Sequence, residues 1–178
     1  MLSRVKKNYH RLLTAYCLRP FMLGLAIAVI GAAASVILAG IGSIVGTSRA
    51  GQAGAGIITE EPEKFGKVLL LQALPATQGI YGFIGAFWVI FKLNLLSGTA
   101  PEIPWATGLT IFFACMPVAV GGLISALYQG KVSVASLNIV TKKPDEAGKG
   151  IILAAMVETY AILGLLASIL LINGINVG

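Results

Sequence analysis

Four long apolar runs fill most of this chain, and polar or charged residues gather in the short breaks between them. About 20 consecutive apolar residues are enough to cross a bilayer. The runs lack the apolar–polar alternation of a barrel strand, and in lipid only helices or closed barrels satisfy the backbone. The pattern predicts an all-α membrane protein with four transmembrane helices, at roughly 20–47, 66–97, 105–130 and 147–173. Glu60-Glu61-Pro62-Glu63-Lys64 marks the first break, Pro101 and Pro104 the second, and Lys142-Lys143-Pro144-Asp145-Glu146 the third. Trp88 and Trp105 lie where an aromatic belt belongs.

The first run is rich in Gly, Ala and Ser, from Gly24 to Gly46. Such residues at three- and four-residue spacing let helix backbones approach closely in lipid. They cover most of the circumference, which suits a helix packed on several sides, as in a crowded ring. Small residues continue through Gly51, Ala53, Gly54, Ala55 and Gly56, so the helix is expected to extend past the membrane. Before it, residues 1–19 carry Arg4, Lys6, Lys7, Arg11 and Arg19 with Val5, Tyr9, Leu12, Leu13 and Tyr16 interleaved. That spacing reads as a short interfacial helix. The apolar run after Pro20 outlasts a signal-peptide core and has no convincing cleavage site, so the segment reads as retained.

A shift of 82 residues superposes the chain on itself. Gly40 meets Gly122, Ser43 meets Ser125, Ala53 meets Ala135, Pro62 meets Pro144, and Gly66-Lys67 meets Gly148-Lys149. Leu71, Ala73, Thr77, Ile80 and Gly82 meet their like at 153, 155, 159, 162 and 164. The chain therefore divides into two tandem helical hairpins, at 20–97 and 98–178. The match fails at an informative place. Glu158 falls opposite Ala76, and Gln129 opposite Thr47, so one hairpin carries a carboxylate and the other has none.

Composition sharpens the class. Hydrophobic residues make up 57% of the chain and charged residues 11%, with a mean hydropathy of +0.88. A soluble domain would carry about a quarter charged residues. The net charge of +6 sits in the N-terminal segment and the loops, so it gives no reason to expect a nucleic-acid partner. Cys17 and Cys115 have no metal-ligand or disulfide spacing, and His10 stands alone in the basic tail. No Walker-type run is present, so no ATP chemistry can occur in this chain and no catalytic residue is assigned.

Six of the seven acids lie in the polar breaks, while Glu158 sits inside the last apolar run. A carboxylate at that depth is costly and usually functional. On the second helix, Leu74, Thr77, Gln78 and Tyr81 share one face by i, i+3, i+4, i+7 spacing. Pro75 removes an N–H and disrupts the bond to the Leu71 carbonyl, so unpaired backbone oxygen is expected nearby. Thr77, Gln78 and Gln129 add neutral oxygens, and Glu158 adds the charge. Hard oxygen donors around one negative charge suit a small alkali cation or a proton, not a transition metal. Taken singly, Thr77 or Gln78 would read equally well as interhelical glue, but glue does not require Glu158.

The duplicated hairpin, the carboxylate confined to the fourth helix, and the runs Leu74-Pro75-Ala76-Thr77-Gln78-Gly79-Ile80-Tyr81-Gly82 and Ala154-Ala155-Met156-Val157-Glu158-Thr159-Tyr160-Ala161 resemble the proteolipid of V-type rotary ATPases, the subunit K that builds the c-ring. The likeness covers residues 20–178 and is strongest to the bacterial sodium-transporting branch. It implies a closed ring of identical subunits, the membrane rotor, working against a stator subunit that supplies an arginine and coupled to central-stalk subunits. It implies Na+ held by the Leu74 carbonyl, Thr77, Gln78, Gln129 and Glu158, with Tyr81 bonding the glutamate, and no organic cofactor. It further implies a multi-pass protein of the cell membrane, with the two charged loops cytoplasmic and both termini outside. Charge counting alone is nearly balanced between the two sides. The basic segment before Pro20 departs from the family and receives no role. The same fold could carry H+ with Glu158 protonated, but four neutral oxygens favour Na+. A four-helix drug/proton antiporter would need an aromatic pocket around the acid, and a purely structural tetraspan would leave Glu158 unexplained.

Overall fold

A computed structural model describes residues 2–98 and 101–177, with side chains from Met22 onward. The side chains of the basic segment expected to lie at an interface fall outside the described residues. Among the described residues, five α-helices build the fold: α1 (Leu2–Glu60), α2 (Phe65–Ala73), α3 (Thr77–Lys92), α4 (Trp105–Lys142) and α5 (Ala147–Gly174). A short 3-10 turn at Leu74–Ala76 joins α2 to α3, so these two helices form one broken span. The four spans are Met22–Glu60, Pro62–Lys92, Trp105–Lys142 and Pro144–Gly174, of 39, 31, 38 and 31 residues. The near-identical lengths in the two halves restate the repeat as geometry: two tandem helical hairpins, a long helix followed by a shorter span in each.

α1 and α4 run past the ends expected from bilayer thickness, to Glu60 and Lys142. At 1.5 Å per residue, 39 residues reach about 58 Å, well beyond the roughly 30 Å of hydrocarbon. Beyond the expected ends at 47 and 130, no proline intervenes until Pro62 and Pro144, each of which opens a 3-10 turn. The extension carries Arg49 and Lys131 within helices instead of loops. α3 ends at Lys92, before the expected 97, and Asn94 and Gly98 turn the chain with φ of 51° and 78°.

α1 and α4 lie against each other with almost no side chain between them. A Cβ on Gly130 would fall 2.5 Å from the Gly46 Cα, and one on Gly108 would overlap the Gly24 carbonyl oxygen. Only glycine permits that approach. α3 lies against α1 and α4, and α5 against α4 and α3. Two apolar clusters close the ends of the assembly. One joins Val89, Leu93, Ile103, Ile111 and Ile172, and the other joins Val68, Leu71, Leu137 and Val140. At the second end Lys64 is buried, donates to the Thr141 carbonyl at 2.9 Å, and pairs with Glu61. It ties the first polar turn to the end of α4.

Candidate ion-binding site

Between the two apolar clusters, three spans bring their polar side chains together. Glu158 projects from α5, and both of its oxygens are engaged from other helices. The Tyr81 hydroxyl on α3 donates to Oε1 at 2.6 Å, and the Gln129 amide on α4 donates to Oε2 at 3.2 Å. Gln78 is fully buried on α3, and its amide nitrogen donates to Gln129 Oε1 and to Ser125 Oγ. Thr77 Oγ1 bonds the Leu74 carbonyl at 2.9 Å. Tyr81, Glu158, Gln129 and Gln78 thus form one hydrogen-bonded network, and Thr77 and Leu74 lie immediately before and one turn before Gln78 on the same span. Among the described residues, no lysine or arginine pairs with Glu158.

The break at Pro75 aims these groups. Pro75 cannot donate to the preceding turn, and the chain answers with the 3-10 turn. The local proline rule points to the Leu71 carbonyl as the freed oxygen. In the folded chain the Leu74 carbonyl is the one engaged by Thr77, through both its backbone N–H and its hydroxyl. α1 steadies the break: Ser43 Oγ accepts from the Gly79 N–H at 2.7 Å and donates to the Ala76 carbonyl at 3.4 Å.

Two serines contribute that sequence reasoning does not single out. Ser125 Oγ accepts from Gln78 at 3.4 Å and donates to the Val157 carbonyl at 2.9 Å, beside Glu158. Ser43 does the corresponding work at the first hairpin's break. Their pairing in the repeat is the available signal, hidden because serine in a small-residue helix also reads as packing.

The donor set has two chemical features. It holds one carboxylate amid neutral oxygens, and among the described residues no group of three His, Cys, Asp or Glu gathers elsewhere to suit a multivalent metal. Gln78 Oε1 is buried without a hydrogen-bond partner. An unpaired buried acceptor costs about 1–3 kcal/mol, a cost that coordination to a small cation would offset. The residues present therefore fit a monovalent cation. Thr159 and Tyr160, flanking Glu158, are exposed and take no part.

Comparison with known proteins agrees with this architecture. The family profile described as the C subunit of ATP synthase matches residues 30–89 and again residues 112–171, two segments related by the same 82-residue displacement. The chain is 46% identical over 149 residues to the V-type sodium ATPase subunit K of Enterococcus hirae, covering 84% of this chain and 92% of that protein. It is 38% identical over 159 residues to the A-type ATP synthase subunit K of Methanocaldococcus jannaschii, covering 89% and 66% respectively. With two copies of the profile, the tandem hairpins and four membrane-crossing helices in agreement, this chain belongs to the ATP synthase C-subunit family as a multi-pass membrane component of V/A-type rotary ATPases.

Proposed function

We propose that the chain carries Na+ through the membrane rotor ring of a V-type ATPase, one ion per copy, bound by the Leu74 carbonyl, Thr77, Gln78, Gln129 and Glu158. The observation that carries this reading is the buried, unpartnered Gln78 Oε1 within the network that holds the carboxylate. A proton on Glu158 would leave that oxygen unsatisfied, whereas a cation seated among the five donors would not. The sodium named for the Enterococcus hirae relative supports the same choice.

In this reading Tyr81 positions Glu158 and does not bind the ion. Ser125 holds Gln78 and the α5 backbone in register. The anionic carboxylate and Na+ form a neutral pair, which lowers the cost of carrying the site past hydrocarbon. A stator arginine from another chain competes for Glu158 and ejects the ion. ATP chemistry, carried out by other subunits, drives the rotation through the central stalk. Each charge moved across 100 mV takes about 2.3 kcal/mol, so several copies per ring share the work of one ATP.

Carbodiimide labelling of the purified protein tests the assignment. Labelling at Glu158 that Na+ suppresses at constant pH is the expected result. Labelling that responds to pH alone would overturn the sodium reading in favour of a proton carrier.

A further inference from the structure

The hydroxyl groups buried along α1 are used in two ways. A serine or threonine in an apolar helix can satisfy itself on a carbonyl one turn earlier. Ser35 does so with Gly31 at 3.3 Å, and Thr47 with Ser43 at 2.7 Å. Ser43 reaches to the neighbouring span instead. Its Oγ accepts from the Gly79 N–H at 2.7 Å and donates to the Ala76 carbonyl at 3.4 Å. One hydroxyl thus grips the backbone on both sides of Thr77 and Gln78, which supply two of the five proposed Na+ donors. Ser43 is only 7% exposed, so bulk solvent does not compete for either bond.

The grip falls where the span is least able to hold itself. Pro75 has no N–H to donate, and the chain passes through Leu74–Ala76 as a 3-10 turn, whose hydrogen-bond geometry is poorer than that of an α-helix. α1 runs close along this break. A Cβ on Gly46 would lie 2.7 Å from the Pro75 Cβ, and one on Gly82 would lie 2.4 Å from the Ser35 carbonyl oxygen. Backbones packed this closely leave α1 little room to follow a shifting turn, so α1 acts as a fixed support. Ser125, the 82-residue counterpart of Ser43, holds the other side of the seat. It donates to the Val157 carbonyl at 2.9 Å, one residue before Glu158. The carboxylate is thereby braced from α4, and the neutral donors are braced from α1.

We propose that Ser43 is a positioning residue that sets which alkali cation the seat prefers, by holding Thr77, Gln78 and the Leu74 carbonyl at a spacing that suits Na+ and is too wide for Li+. This rests on the Na+ reading above and assigns its size discrimination to a residue that does not touch the ion. Selectivity between hard cations is a matter of cavity size, ligand number and ligand flexibility. Donors on a loose 3-10 turn would draw in around the smaller ion. Donors pinned at Ala76 and at Gly79 cannot, because the turn between them is held at both ends by one oxygen.

The test compares the Na+ and Li+ concentrations that half-protect Glu158 from carbodiimide, in membranes containing the full complex. Ser43→Ala should raise the Na+ requirement about three- to tenfold, the effect of roughly one ordinary hydrogen bond, while the Li+ requirement changes little. Preference for Na+ over Li+ should therefore fall. Ser35→Ala removes a buried hydroxyl from the same helix that bonds its own backbone, and it should leave both requirements unchanged. Gly79→Ala keeps the serine but sets a Cβ 3.3 Å from its Oγ, so it should reproduce the loss of preference by crowding the hydroxyl. Added to Ser43→Ala it should cost nothing more, since the oxygen it crowds is gone. An unchanged Na+ requirement in Ser43→Ala, an equal loss for both ions, a matching shift from Ser35→Ala, or additive losses in the double variant would each overturn the proposal. Na+ protection of the unaltered protein reports the ion reading separately. Its absence would remove that reading, whereas its presence beside an unchanged Ser43→Ala would remove the role of Ser43 alone.

Discussion

Tyr81→Phe removes one oxygen, fills the same volume, and separates the holding of Glu158 from the binding of the ion. The Tyr81 hydroxyl donates to Glu158 Oε1 at 2.6 Å. That bond does not require Na+, so its strength largely cancels in the binding equilibrium. What does not cancel is order. Without the phenol, Oε1 has lost its donor and the half-buried side chain regains rotamers that must be lost again when the ion binds. Freezing a Glu side chain costs about 1.5–2 kcal/mol at most. Gln129 still restrains Oε2, so about 1 kcal/mol is expected, or roughly a fivefold weaker affinity. Carbodiimide labelling of Glu158 over a Na+ titration reads this directly. The half-protecting concentration should rise about fivefold, and labelling without Na+ should quicken. An unchanged half-protecting concentration would refute preorganisation by Tyr81. A loss of a hundredfold or more would make the hydroxyl a ligand of the ion instead.

Gln129→Ala removes both a proposed ligand and the donor to Glu158 Oε2. With a bond to a charged group contributing about 1.5–3 kcal/mol, half-protection should require roughly ten- to a hundredfold more Na+ while ring assembly persists on native gels. Ala76→Glu puts a carboxylate at the first hairpin's counterpart of Glu158, while the counterparts of Gln78 and Gln129 are Tyr160, in the second hairpin, and Thr47. Mass spectrometry should find carbodiimide on Glu158 that Na+ suppresses and on the introduced glutamate that Na+ does not; equal protection would mean that the neutral oxygens are dispensable. Lys64→Met deprives the Thr141 carbonyl and Glu61 of their shared partner at a cost of about 1 kcal/mol. Thermal unfolding should fall by about 3 °C with Na+ protection unchanged.

The helices are legible because the bilayer turns apolar length into a nearly unambiguous signal, and the repeat is legible because Gly40, Ser43, Pro62, Gly66-Lys67 and Gly82 meet their like 82 residues on. Helix ends are harder. Bilayer thickness predicts where α1 leaves the lipid, but the helix stops only where Pro62 ends it, since Gly51 and Gly54 continue to pack on Gln72 and Val68. The oxygen exposed at Pro75 is legible only to within a turn. The local rule names Leu71, whereas the 3-10 turn, braced by Ser43 from another helix, engages Leu74 with Thr77. Spacing puts Tyr81 on the right face, but its meeting with Glu158 depends on the register of α3 against α5, which no local pattern encodes. The buried role of Lys64 is hidden for the same reason, since a lysine in a charged turn ordinarily reads as solvated.

The asymmetry between the hairpins follows from the hydrogen bonds of the intact site. Gln129 donates to Glu158 and accepts from Gln78, and Tyr81 has Glu158 as its acceptor. Loss of the carboxylate alone would strand a phenol and an amide inside the membrane, where replacement partners are scarce. A half-satisfied polar network is costlier than a smaller complete one. The 82-residue counterparts of the site accordingly differ as a set: in the first hairpin Ala76 stands for the glutamate and Thr47 for Gln129, and in the second Tyr160 stands for Gln78 and Leu163 for Tyr81. The two positions that keep their oxygens, the Met156 carbonyl and Thr159, satisfy each other without help. Polar groups that depended on the carboxylate are therefore replaced, and those that are self-sufficient remain. That selective pattern is what a single charged seat per four helices requires, because the second position must stop binding an ion without leaving buried polar groups unpaired.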